Sequence, residues 1–157
     1  MSSNLSAGNS AIIIVVSDFN EKVIENLLQG ALDAFVHLGG NKSDILVFRV
    51  PGAFEISGAI MQVLKHHSPD AVVAIGAVIR GETPHFDFIA GESARGIAEI
   101  SRNTDIPIIN GILTTDTAQQ AVNRSQAGGG PNKGWDAMEA ALKTISVYQS
   151  IRTASKC

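Results

Sequence analysis

Four strand-length apolar runs, each followed by a loop and a helix-like segment, constrain the fold more than any other feature of the sequence. The runs are Ala11–Ser17 (AIIIVVS), Asp44–Val50 (DILVFRV), Ala71–Val78 (AVVAIGAV) and Pro107–Leu113 (PIINGIL). Continuous β-branched runs are typical of strands covered on both faces. Parallel strands need crossovers, and right-handed crossovers place helices on both faces of a sheet. The sequence therefore predicts an α/β fold, an α/β/α sandwich around a four-stranded parallel sheet.

Helical periodicity follows each run. Helices are predicted at Glu21–Leu38, Glu55–His66, Pro84–Arg102, in a short segment after Asp116, and at Trp135–Ile151. Two of these starts carry capping signals. Thr83 is the expected N-cap in front of Pro84, and Asp116 with Gln119 resembles a capping box.

Length and composition predict one domain that associates with copies of itself. A chain of 157 residues is long enough for one core and short for two. Residues 1–10 are polar and small and predict a flexible arm, which leaves residues 11–157 as a single domain. Apolar residues make up 45% of the chain and charged residues 17%, which predicts that another subunit covers part of the surface.

Several classes of partner are not expected. The net charge is −3 and the 12 basic residues are scattered, so no basic stripe is available for nucleic acid. No apolar run reaches the roughly 20 residues that span a bilayer, and the first residues do not resemble a signal peptide, so a cytoplasmic protein is expected. Cys157 is the last residue, a position suited neither to an internal disulfide nor to a preorganised nucleophile.

The loops after the strands carry the residues with chemical potential, because ligands of open parallel sheets bind at the carboxyl ends of strands. His85 lies at the start of a predicted helix, where a neutral imidazole beside an anion site can give or take a proton. An ordinary exposed loop histidine is the competing interpretation. The other histidines, His37, His66 and His67, are interpreted as structural or solvated, and no set of side chains has metal-ligand spacing.

Gly81-Glu82-Thr83, just before His85, forms either a small phosphate cradle or a plain capping turn. Arg124, on the short helix, is a candidate second phosphate ligand. No dinucleotide or Walker motif occurs.

Aromatic residues at two strand ends are candidate ligand contacts. Phe19 follows the first run, and Phe54 with Glu55 follows the second. An aromatic ring there can stack on a flat ligand while a carboxylate accepts hydrogen bonds from it, although burial in the core is an equally good interpretation of either phenylalanine.

Taken in order, DFN, VPGAFEI, GAVIRGETPHFDF, NGILTTD, and an arginine followed by NKG resemble the lumazine synthase family over Ala11–Ile151. The resemblance implies the flavodoxin-like strand order 2-1-3-4. It also implies condensation of 5-amino-6-(D-ribitylamino)uracil with 3,4-dihydroxy-2-butanone 4-phosphate to 6,7-dimethyl-8-ribityllumazine, with release of phosphate and water and without cofactor or metal.

The resemblance also implies site residues. His85 is expected to move protons and Phe19 to stack on the pyrimidine, with Lys133 adding positive charge nearby. The uracil and its ribityl chain are expected to contact Ala53, Phe54, Glu55, Ala77, Val78 and Ile79. The phosphate substrate is expected to contact Glu82, Thr83 and Arg124.

Two residues depart from the family pattern. Asn110 occupies a position where a neighbouring subunit often offers phenylalanine, and asparagine can hydrogen-bond a pyrimidine but cannot stack on it. Asp18 precedes Phe19 where a basic or aromatic residue is common. These departures keep an alternative open, a catalytically weak paralogue that binds flavin or lumazine or acts as a scaffold. A phospho-acceptor domain of similar topology is disfavoured because Gly76–Val78 ends the third strand without an aspartate.

The family assembles as pentamers, some of which form 60-subunit shells. The loop QAGGGPNKG, residues 126–134, looks one residue longer than in shell-forming relatives. The expectation is an isolated pentamer or a decamer of two pentamers.

Overall fold

The sheet predicted from the four apolar runs is present, and every strand in it is parallel to its neighbours. The computed structural model describes residues 5–155. Its strands are β1 (Ile12–Ser17), β2 (Ile45–Val50), β3 (Ala71–Ile79) and β4 (Ile108–Thr115), and its helices are α1 (Glu21–His37), α2 (Ile56–His66), α3 (His85–Arg102), α4 (Ala118–Asn123) and α5 (Lys133–Thr153). The strand order is β2-β1-β3-β4, which confirms the order 2-1-3-4.

Alternate residues of the central strands supply two cores, one on each face of the sheet. Ile12, Ile14 and Val16 of β1 pack with α1 and α5. Ile13 and Val15 point the other way and pack with α2 and α3. Each of these side chains is at least 96% buried, and burying one contributes about 1.5–3 kcal/mol, so β1 anchors both layers.

Helices α1 and α5 make the closest contact between helices. Gly134 permits it, because a Cβ at that position would collide with the carbonyl of Leu27. Asn132 then fastens the start of α5 to α1. Its Oδ1 accepts from Trp135 N at 3.0 Å as the N-cap, and its Nδ2 donates to Asn26 O at 2.9 Å.

Strand β2 differs from the two central strands because its surface is left open. Leu46, Val47 and Phe48 are 49%, 37% and 38% exposed, whereas every residue of β1 is buried. Phe48 has one aromatic neighbour, His67, whose ring centroid lies 5.8 Å away. An apolar edge strand of this kind is a surface for association.

The predicted caps are wrong in detail. Helix α3 begins at His85 with Pro84 at the N-cap, so the side chain of Thr83 does not cap it. The cap of α4 lies one residue later than predicted, because Thr117 Oγ1 accepts from Gln120 N at 3.1 Å. Asp116 instead donates its N–H to Gln120 Oε1 at 2.8 Å.

Part of the segment predicted as an arm packs against the domain. Ala7 is 1% exposed, and its N–H donates to Leu38 O at 2.8 Å. Leu5 also contacts the core, so the packed chain begins earlier than Ala11. The remainder of the arm, Met1–Asn4, and the terminal Cys157 lie outside the described residues. No helix within residues 5–155 combines the length and the apolar character needed to cross a bilayer.

Candidate active site

A cleft of about 660 Å³ opens at the carboxyl ends of β1, β2 and β3. Most of the predicted site residues line it: Phe19, Ala53, Phe54, Glu55, Ala77, Val78, Ile79, Thr83 and His85. It lies where the order of an open parallel sheet reverses, because β1 connects to β2 on one side and β3 lies on the other. The sheet topology therefore assembles residues that are up to 66 positions apart in the chain, from Phe19 to His85.

Buried small residues form the floor of this cleft. Ala53, Ala77 and Val78 are 5%, 2% and 7% exposed. Their short side chains leave room for a ligand to approach the backbone, where amide and carbonyl groups can recognise a flat polar ring.

Two aromatic rings stand at the rim. Phe19 is 61% exposed and Phe54 is 54% exposed, so neither belongs to the core. This exposure removes the core interpretation that the sequence left open for both residues. Large apolar side chains held open to solvent around a cleft are typical of ligand contacts.

His85 is the first residue of α3, and its exposed side chain lines the cleft beside Phe86. Ile89 lies one helical turn further along the same wall. Glu55 is the other titratable residue among those lining the cleft. An imidazole and a carboxylate thus share one apolar cavity, an arrangement that can bind polar groups and transfer protons.

The loop before α3 divides the predicted phosphate residues. Thr83 lines the cleft, whereas Glu82 is exposed and does not line it. Gly81 lies at the rim, with open space where a Cβ would stand. The hydroxyl of Thr83 and the backbone of this loop are the groups that can face a ligand here.

Arg80 joins that loop to the neighbouring strand. Its Nε donates to Asp116 Oδ1 at 2.8 Å, and its Nη1 lies 3.5 Å from Asp87 Oδ1. The hydrogen bond to Asp116 raises the pKa of Arg80 above its usual value. An arginine side chain is protonated at neutral pH, so Arg80 is a cation beside this loop.

Asp18, the departure beside Phe19, is paired with a cation. Arg49 Nη1 lies 3.1 Å from Asp18 Oδ1 and 2.8 Å from Glu25 Oε1. Hydrogen bonds to Glu25 and then Asp18 raise the pKa of Arg49. Because Asp18 bonds Arg49, its charge is partly neutralised next to the cleft.

The other predicted cationic residues lie elsewhere. Arg124 and Lys133 line a smaller cleft of about 360 Å³, together with Thr114 of β4 and Asp136 of α5. Arg124 Nη1 donates to Gln120 O at 3.1 Å, which holds the side chain along its own helix. This cleft and the cleft of His85 have no lining residue in common.

Asn110 lines neither of these clefts. It is exposed on the edge strand β4, and its Oδ1 accepts from Ile112 N at 3.0 Å. Its Nδ2 is the part of the side chain that can donate to a ligand. One subunit thus keeps Asn110, Arg124 and Lys133 apart from the residues around His85.

Sequence reasoning assigned no role to four other residues of the main cleft: Pro51, Gly52, Phe86 and Ile89. Pro51 and Gly52 belong to the strand-end loop that supplied Phe54, and loop membership alone was a usable signal. Ile89 could have been found from His85, because residues four positions apart lie on the same face of a helix. Phe86 had no signal beyond its place next to His85.

The largest cleft, of about 830 Å³, holds none of the predicted site residues. It lies between α1, the start of α5 and the glycine-rich loop Gly128–Gly130.

Comparison with known proteins agrees with this geometry. A family model described as 6,7-dimethyl-8-ribityllumazine synthase matches residues 9–149. A relative of that name from Nautilia profundicola is 42% identical over 92% of this chain and 93% of its own. Relatives of the same name from Chloroherpeton thalassium and Chlorobium limicola are 43% and 42% identical, over 94% and 93% of this chain and 95% and 94% of their own. The chain therefore belongs to the 6,7-dimethyl-8-ribityllumazine synthase family.

Proposed function

We propose that this protein is a transferase of riboflavin biosynthesis that makes 6,7-dimethyl-8-ribityllumazine. Its substrates are 5-amino-6-(D-ribitylamino)uracil and 3,4-dihydroxy-2-butanone 4-phosphate, and its other products are phosphate and water. The observation that carries the proposal is the main cleft, in which His85 and Glu55 share an apolar cavity with Phe19 and Phe54. Membership of the family supports it.

Positioning is the main contribution of the protein to this reaction. Phe19 stacks on the pyrimidine, and Phe54 contacts the ligand in the same cleft. Ala53, Glu55 and Ala77–Ile79 bind the uracil and the ribityl hydroxyls. Holding two reactants together removes much of the entropic barrier of a condensation.

His85 moves protons during the reaction. Imine formation between the amine and the ketone needs a proton to leave nitrogen and another to reach the departing oxygen. Phosphate elimination then needs a proton taken from carbon. A histidine beside Thr83 lies where the phosphate-bearing substrate binds, so it can serve each of these steps.

The second cleft indicates how the site is completed. Arg124 and Lys133 are the cations that a phosphate needs, yet they line a different cleft of the same subunit. In a ring each subunit makes a head-to-tail contact, so the β4 edge of one copy can meet the main cleft of the next. We propose a homopentamer, isolated or paired as a decamer, with Asn110, Arg124 and Lys133 offered to a neighbour. The cytoplasm is its proposed location.

A direct test combines activity with subunit complementation. Purified protein is mixed with both substrates, and lumazine fluorescence is compared with the uncatalysed background. His85→Ala and Arg124→Ala are each expected to be impaired. Coexpressing the two restores roughly a quarter of the sites if the subunits mix at random in a ring.

The activity, the shared site and the assembly are each tested by a different result. No acceleration by the wild-type protein refutes the enzyme, and tight product binding without turnover identifies the weak paralogue instead. An active enzyme whose two variants do not complement refutes the shared site. Native mass measurement of a 60-subunit particle refutes the proposed assembly.

A further inference from the structure

We propose that Arg80 is a positioning residue that fixes His85 and the adjoining phosphate-binding loop. The inference rests on the proposed function and adds a residue to it that contacts neither substrate. Arg80 directly follows β3, and its N–H donates to Thr115 O at 2.9 Å, so its backbone is fixed to the end of β4.

The side chain of Arg80 makes three contacts at once. Its Nε donates to Asp116 Oδ1 at 2.8 Å, just beyond β4. Its Nη1 lies 3.5 Å from Asp87 Oδ1, and its Cζ lies 4.5 Å from the centroid of the Phe86 ring. Phe86 and Asp87 are the two residues that follow His85. Arg80 therefore links the end of the sheet to both residues next to the proton-transfer group.

The start of α3 depends on such a contact because the usual cap is missing. Pro84 occupies the N-cap and makes no side-chain hydrogen bond. Gly81 has open space around it, and Glu82–Pro84 are exposed. In the first turn, Asp87 N donates to Pro84 O at 3.1 Å. Phe86 and Ile89 pack against the core, and Arg80 adds the charged contacts that link the same turn to the ends of β3 and β4.

The contacts of Arg80 orient the loop before α3 more than they stabilise the fold. The side chain of Arg80 is 48% exposed, and exposed ion pairs contribute little to folding. A planar guanidinium can nevertheless donate in two directions while its face lies on a ring, and lysine cannot reproduce all three contacts. Phe86 also lines the main cleft, so Arg80 supports the wall of the site from behind.

The test compares Arg80→Ala and Arg80→Lys with Arg95→Ala, a control on α3 whose side chain also pairs with a carboxylate, Glu92, at the surface. We expect Arg80→Ala to lower kcat about fivefold, within the roughly hundredfold that a displacement of about 1 Å can cost. KM for the phosphate substrate rises and KM for the pyrimidine stays unchanged, because the pyrimidine contacts lie on the strand ends. Arg80→Lys recovers part of the loss, and Arg95→Ala matches the wild type.

A double variant tests whether Arg80 affects kcat through His85. If Arg80 acts through His85, then Arg80→Ala lowers kcat no further in a His85→Ala background. Hydrogen exchange provides a readout without turnover, since amides of residues 81–89 should exchange faster in Arg80→Ala and not in Arg95→Ala.

Unchanged kcat and unchanged exchange in Arg80→Ala would overturn the inference, as would equal rises in both KM values. An inactive wild-type protein would instead refute the proposed function, and the exchange measurement would then still decide whether Arg80 holds the loop.

Discussion

The two smaller clefts differ in what they can recognise. The main cleft is apolar, with Glu55 and His85 as the titratable residues in its lining. The cleft at β4 has half the volume and carries Arg124, Lys133 and Asp136. One subunit therefore keeps the apolar surface that fits a carbon skeleton and the cations that bind a phosphate in two separate clefts. In the proposed function, a substrate that carries both a carbon skeleton and a phosphate needs both clefts, so activity would depend on assembly.

The largest expected effect is loss of phosphate recognition in Arg124→Ala. A hydrogen bond to a charged group contributes about 1.5–3 kcal/mol, so KM for the phosphate substrate should rise about 10- to 100-fold. KM for the pyrimidine should change little, because Arg124 does not line the main cleft. Steady-state kinetics with each substrate varied in turn measures the split. Equal changes in both KM values would contradict the division between the clefts.

Arg124→Lys refines this measurement. Lysine keeps the charge and loses the bidentate geometry, so an intermediate KM is expected.

Phe19→Ala should act on the other substrate. Stacking of an aromatic ring on a base contributes about 1–3 kcal/mol, so KM for the pyrimidine should rise at least about fivefold. The matched control is Phe88→Ala, because the ring of Phe88 is 69% exposed and does not line the main cleft. Isothermal titration with the product checks the same contact. If both variants bind the product equally well, Phe19 does not stack on the ligand.

Asn110→Phe tests the departure from the family pattern. Phenylalanine restores stacking and removes an amide donor, so a change of about threefold in KM for the pyrimidine is expected, in either direction, from exchanging one weak contact for another. Because Asn110 is exposed on an edge strand, thermal stability should stay the same. A large loss of stability would show that the bond to Ile112 N has a structural role.

The smallest effect concerns the scaffold under the main cleft. Ser93, on the same helix as His85, is 3% exposed, and its Oγ has no hydrogen-bond partner in the described chain. Removing an unpaired buried hydroxyl removes a desolvation penalty, so Ser93→Ala should stabilise the fold by about 1 kcal/mol. Chemical denaturation measures it. The variant should have the same kcat and KM as the wild type. A lower stability would mean that the Ser93 hydroxyl has a hydrogen-bond partner in solution.

Much of the fold could be predicted because each element has a local cause. The runs Ile12–Val16 and Ala71–Val78 are apolar without interruption, and that pattern specifies central strands. The caps could not be predicted as well, since Thr83 and Thr117 both precede helical segments. Thr117 caps and Thr83 does not, because Pro84 takes the N-cap of α3.

The candidate site was predictable to the extent that it depends on strand ends. Phe19, Ala53 and His85 meet because parallel strands finish at one edge of the sheet. Arg124 and Lys133 follow the edge strand β4, whose strand end faces a different cleft. Nothing in the chain itself indicates that these two groups belong to one site, because in the proposed assembly their meeting depends on a second copy of the chain.

The open edge of β2 affects how this protein behaves when it is dilute. Its backbone presents unpaired donors and acceptors beside Leu46, Val47 and Phe48, and such an edge pairs with whatever strand is available. In the proposed assembly, a subunit that dissociates therefore either joins another ring or aggregates. Storage lifetime should then depend on protein concentration in the opposite sense to ordinary aggregation, with the more concentrated sample surviving longer.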